Sequence, residues 1–177
     1  MLAEALRCRV TGLTISPKQA WYCQVRGVHA EIMDIEQRLP DDSYDIAFCL
    51  EAMEHVVDKS GLLVRLRHRA SHLLLSTGCI ADPSQPSRKY FGDTISFCTP
   101  SELRNAVQAA GWSIRRMVDR RFQSLRTLFL WKKNLASLPA TYRESGQLGI
   151  LAKLVDEALA DPIRWSRAFP LIDIIAD

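Results

Sequence analysis

The apolar run Ile46-Ala47-Phe48-Cys49-Leu50 stops abruptly at Glu51, Glu54 and His55. A run this short, preceded by Pro40, Asp41, Asp42 and Ser43, reads as a buried strand entered from a turn. Hydrocarbon packing gives no reason for two carboxylates and an imidazole at its end. In an open parallel sheet, ligands lie beyond the carboxyl ends of the strands. The stretch from Asp45 to Val57 therefore reads as a strand that ends at the floor of a site.

The rest of the chain alternates around it. Residues 2–8 have helical spacing, and Val10 to Ile15 is a β-rich run. Ser16-Pro17 is an N-cap with proline at the first helical position, and the helix carries Ala20, Trp21 and Cys23 before Gly27. Val28 to Met33 is a second short strand, ending at Asp34. After the central strand come a helix bearing Leu62, Leu63, Leu66 and Ala70, and a strand from His72 to Ser76. This alternation predicts an α/β fold with a parallel sheet. Residues 77–98 read as a long loop. Thr99-Pro100-Ser101-Glu102 opens another helix that ends at Gly111, Trp112 to Asp119 is a strand, and Leu125 to Lys132 is helical. Residues 142–160 and 163–176 read as two more helical stretches, with Pro162 and Pro170 as breaks.

Composition narrows the class. The 177 residues suit one domain with a sizeable core. The net charge of +3 is too small to argue for nucleic acid. Five cysteines without a C-x-x-C pair read as free thiols in a reducing compartment. No apolar run is long enough to span a bilayer, and Glu4, Arg7 and Arg9 break any signal-peptide pattern, so the expected location is the cytoplasm.

Three segments carry a resemblance: Val10-Thr11-Gly12-Leu13-Thr14-Ile15-Ser16-Pro17-Lys18-Gln19; Met33-Asp34-Ile35-Glu36 with Leu39 to Asp45 after it; and Leu50-Glu51-Ala52-Met53-Glu54-His55-Val56. Thr127-Leu128-Phe129-Leu130-Trp131 is a weaker fourth. Their order resembles the class I S-adenosylmethionine (SAM)-dependent methyltransferases. Within these it is similar to the branch of cyclopropane-fatty-acid synthases and of sterol and natural-product C-methyltransferases. The resemblance covers residues 1 to about 135, and so implies a partial methyltransferase domain over 1–135 with a helical extension over 136–177 packed on it. It implies a Rossmann-like sheet with SAM as cofactor, held by Thr14, Ser16, Gln19, Asp34, Ile35, Leu50 and Glu51. Glu54 and His55 are the implied catalytic pair. The polar chemistry agrees, since an adenine amine needs one acceptor, which Asp34 can offer. The competing readings are a turn-ending acid for Asp34 and a helix-start acid for Glu54.

The same resemblance implies an earlier strand and a glycine-rich turn for the methionine end of the cofactor, yet no G-x-G occurs in the chain. The expected sheet is thus N-terminally truncated, with the missing strand placed between those at 10–15 and 45–50. Either the sequence is a fragment of a longer gene, or the sheet closes over the gap and cofactor binding suffers. Ser76 and Ser124 stand where cyclopropane synthases carry a histidine and a tyrosine. This favours simpler methyl transfer to a small-molecule acceptor. Tyr90, Phe91 and Phe97 lie in the long loop where the resemblance implies acceptor binding, and the competing reading is of ordinary loop anchors. His68 and His72, set among arginines, read as a solvated basic helix end and not as a metal site. A non-catalytic methyltransferase-like module, with an interaction or homodimerisation role, is the alternative.

Overall fold

The computed structural model describes residues 7–84, 95–144 and 146–177. The helix expected over residues 2–8, and Tyr90 and Phe91, fall largely or wholly outside them. The chain forms two compact units, Met1–Asp42 and Ser43–Asp177.

In the first unit, strand β1 (Thr11–Thr14), helix α1 (Pro17–Val25) and strand β2 (His29–Ile32) make one β-α-β turn. The strands pair in parallel, with Thr14 opposite Ile32. Helix α1 starts as expected: the Ser16 side chain accepts from the Gln19 N–H, and Pro17 follows it. It ends before Gly27, whose φ of 73° suits glycine.

The second unit opens with strand β3 (Tyr44–Leu50) and a 3₁₀ turn (Met53–His55). Helix α2 (Lys59–Arg67) and strand β4 (Ala70–Gly78) follow, then helix α3 (Pro100–Ala109) and strand β5 (Ile114–Asp119). Four helices come next: α4 (Arg121–Ala136), α5 (Ala140–Arg143), α6 (Gly146–Ala160) and α7 (Pro162–Ala168). The last element is strand β6 (Leu171–Ala176). The sheet order is β3-β4-β6-β5, with β3 parallel to β4 and β6 antiparallel to both of its neighbours. Leu73, Leu75, Ile172, Ile174 and Ala176 are each at most 2% exposed and form one layer of the core. Leu62, Leu63, Leu103 and Val107 of α2 and α3 are buried too. Burying each such side chain is worth about 1.5–3 kcal/mol. The Trp112 indole N–H donates to the Leu63 carbonyl at 3.0 Å, which joins the start of β5 to α2. A separate helical cluster buries Leu128, Leu135, Val155 and Ala158.

Three sequence expectations need correction. Residues 163–176 are helical only as far as Ala168; 171–176 form β6, inside the sheet. Pro170 ends the helical segment, and Ile172, Ile174 and Ala176 alternate inward with the strand period. The central strand is not buried on both faces: Ile46, Phe48 and Leu50 are 43%, 45% and 54% exposed. Among the described residues β3 pairs only with β4, and β1 only with β2, so each keeps an unpaired edge. Finally, Ala70 begins β4 and does not belong to α2, and the strand extends through Thr77 and Gly78 into the expected loop.

Candidate functional site

In the first unit the expected polar residues meet at one end. The Thr14 hydroxyl donates to Oε1 of Gln19 at 2.6 Å and accepts from the Ser16 N–H at 3.1 Å. The Met33 N–H donates to the Thr14 carbonyl at 2.9 Å, so the ends of β1 and β2 stay together one residue before Asp34. Oδ1 of Asp34 accepts from the Glu36 N–H, and Oδ2 from the Gln37 amide, both at 2.9 Å. Both readings of Asp34 are therefore physical: it shapes the turn, and each carboxylate oxygen retains a second lone pair. Ile35 is half-buried beside it. A cleft of about 430 Å³ is lined by Gly12, Thr14, Gln19, Trp21 and Tyr22 among others. The cleft is open and its lining mostly apolar.

In the second unit Leu50, Glu51, Glu54, Ser76 and Thr77 gather at the carboxyl ends of parallel β3 and β4. Glu51 has a left-handed φ of 51°, and its N–H donates to the Ser76 carbonyl at 2.7 Å. The Ser76 hydroxyl donates to Oε1 of Glu51 at 3.4 Å. A non-glycine residue at such a φ is strained and recurs at functional turns. Burial and then the Glu54 charge raise the Glu51 carboxyl above its ordinary range. Glu54 is only 9% exposed, and its Oε2 accepts from the Thr77 hydroxyl at 2.8 Å. Burial followed by the Glu54 charge pushes the Cys49 thiol up to about 11.

Glu54 and His55 sit on a three-residue 3₁₀ turn, not on an α-helix, and their surroundings differ: Glu54 is buried and His55 exposed. Sequence reasoning passed over Thr77, the partner of Glu54. Its signal was positional, since Leu73, Leu75 and Thr77 share one strand face. Ser76 was read only as a substituted position. His72 pairs through Nδ1 with Oδ1 of Asp177 at 2.6 Å, and Arg115 joins the same carboxylate. No cluster of three metal-ligating side chains occurs among the described residues.

The β-α-β turn of the first unit and the mixed sheet of the second, each with polar side chains at its strand ends, are Rossmann-like elements, and the comparisons place them in a known fold. Residues 1–69 match the family model of a methyltransferase domain. The chain is similar to the cyclopropane synthase MmaA2 from Mycobacterium tuberculosis at 16% identity and TM-score 0.79, covering 96% of this chain and 70% of that one. It is similar to the [4+2]-cyclase SpnF at 16% identity and TM-score 0.76, covering 97% and 68%. It is also similar to geranyl diphosphate C-methyltransferase from Streptomyces coelicolor A3(2) at 18% identity and TM-score 0.71, covering 100% and 65%. No curated protein matches the chain by sequence. The chain thus has the class I methyltransferase fold and begins with methyltransferase-domain sequence. No helix among the described residues is long and apolar enough to cross a membrane.

Proposed function

We propose that this chain is a SAM-dependent methyltransferase, or a large part of one, acting on a small-molecule acceptor. The observation that carries this reading is the meeting of Thr14, Ser16, Gln19 and Asp34 at the carboxyl ends of β1 and β2, inside the segment matched by the methyltransferase-domain model. Solved structures of similar fold support the cofactor, since coclaurine N-methyltransferase and the cyclopropane synthase CmaA1 were each crystallised with S-adenosylhomocysteine (SAH).

The residues present fit the nucleoside end of SAM. Asp34 offers spare lone pairs to an amine, Thr14 and Gln19 offer hydroxyl and amide groups to a sugar, and Trp21 and Tyr22 give the neighbouring cleft its aromatic wall. Ser16 caps the start of α1 and Ile35 lies in the turn after β2. When bound, SAM supplies an electrophilic methyl group.

The work of the chain's own side chains is positioning and proton handling. Thr77 holds Oε2 of Glu54, so this carboxylate is fixed before any acceptor arrives. Glu54 is the proposed proton acceptor or orienting group, and the exposed imidazole of His55 is the second candidate. The same reading places the chain in the cytoplasm and makes a small molecule, not a nucleic acid, its partner. A homodimer is compatible with it.

The test is SAH release from SAM in the presence of a fractionated small-molecule extract. The reading expects acceptor-dependent release, and expects Glu54→Gln to lower it at least tenfold, equivalent to about 1.4 kcal/mol at the barrier. Equal release by Glu54→Gln would remove Glu54 from the mechanism.

A further inference from the structure

Cys79 and Cys98 lie far apart in sequence but side by side in the second unit. Cys79 follows the last residue of β4 and is fully buried; its N–H donates to the Pro170 carbonyl at 2.7 Å. Cys98 immediately precedes Thr99, the N-cap of α3, and is partly exposed. The Ile80 N–H donates to the Cys98 carbonyl at 3.0 Å, which fixes the two backbones beside each other. Both thiols are free.

We propose that Cys79 and Cys98 form a peroxide-sensitive thiol pair, in which Cys98 is oxidised first and Cys79 converts it to an intramolecular disulfide. Accessibility assigns the roles, since Cys98 is a partly exposed residue and Cys79 a buried one. The charge environment agrees. Cys79, then the nearby Lys59 cation, hold the Cys98 thiol below its ordinary range, which favours the nucleophilic thiolate. Cys98, then burial, raise the Cys79 thiol.

The chemistry balances with a hydroperoxide as oxidant. The Cys98 thiolate attacks the O–O bond; an S–O bond forms, the O–O bond breaks and hydroxide leaves, giving a sulfenic acid. The Cys79 sulfur then attacks the Cys98 sulfur. The S–S bond forms, the S–O bond breaks, and the departing hydroxide takes the Cys79 proton as water. Two thiols lose two electrons, and one hydrogen peroxide becomes two waters. The bond would tie the end of β4 to the start of α3, next to the Thr77–Glu54 pair.

The experiment treats the purified full chain with hydrogen peroxide, then counts thiols after denaturation and maps the peptides. The proposal expects two of the five thiols to disappear, one cross-linked peptide pair containing Cys79 and Cys98, and full recovery with dithiothreitol. Cys98→Ser should keep all its remaining thiols at the same dose. Cys79→Ala, if it folds, should leave Cys98 as a sulfenic acid that dimedone traps. Retention of all five thiols, a disulfide between other cysteines, or Cys98 driven to sulfinic acid with Cys79 still reduced would overturn the proposal.

Discussion

The Thr77 hydroxyl donates to Oε2 of Glu54 across 2.8 Å, in a place where both side chains are almost wholly removed from solvent. This ties the residue after the 3₁₀ turn's first position to the carboxyl end of β4. A buried carboxylate needs such a donor, and removing it leaves the charge poorly solvated. Thr77→Val keeps the shape and deletes the hydroxyl. It should destabilise the fold by about 1–3 kcal/mol, read as a lower urea midpoint. Combining it with Glu54→Gln should cost less than the sum of the two single changes, because the two groups share one interaction. Strict additivity would show that they do not.

Glu51 sets a pH dependence. Its folded-state carboxyl is raised above the ordinary value of 4.5 by burial and by Glu54, so the folded chain holds this proton more tightly than the unfolded chain does. Stability should then be highest below that value and fall as pH rises from it through the folded-state value. Glu51→Gln should flatten this fall in a series of thermal midpoints, with the gain appearing on the high-pH side. A variant that loses stability above the window contradicts this assignment.

Asp177 acts in the opposite sense. Its hydrogen bond to His72, and then Arg115, lower its carboxyl below the ordinary value of 3.8. The stabilising contribution is present above that value and fades as pH falls through the lowered one. The side chain is partly exposed, and Asp177→Asn should alter only the acid limb of the same series.

Thr99 and Glu102 make a capping box at the start of α3: the Thr99 side chain accepts from the Glu102 N–H, and the Glu102 carboxylate accepts from the Thr99 N–H. Thr99→Ala should cost about 1 kcal/mol by chemical denaturation. Thr99→Ser should recover most of the loss. Equal losses in both variants would assign the effect to packing of the threonine methyl.

Ile174 is wholly buried in β6, opposite Leu75 on one side and Met117 on the other. Ile174→Ala should cost about 2–5 kcal/mol, and amide exchange across 171–176 should be among the slowest in the second unit. Fast exchange there would argue against a central strand.

What the sequence disclosed follows from how local each signal is. Ser16-Pro17 and Thr99-Pro100 with Glu102 were legible because caps are written in neighbouring residues. Asp34 was found at its strand end, but its bonds to Glu36 and Gln37 were not, since a turn acid and a ligand acid look alike in sequence. β6 was misread because Leu171 to Ala176 is a short apolar run, and periodicity over so few residues does not separate helix from strand. Its position between β4 and β5 depends on long-range pairing. Thr77 was missed for a related reason. Only the register of β4 shows that it shares a face with Leu73 and Leu75, and only the fold brings it to Glu54.

The most direct measurement is isothermal titration of the full chain with SAM, repeated with Asp34→Ala and with SAH as competitor. Saturable heat in the wild-type chain, displaced by SAH and weakened about tenfold or more by Asp34→Ala, is the result expected for a cofactor seated at the ends of β1 and β2. No heat at millimolar SAM, or binding indifferent to Asp34, would contradict it.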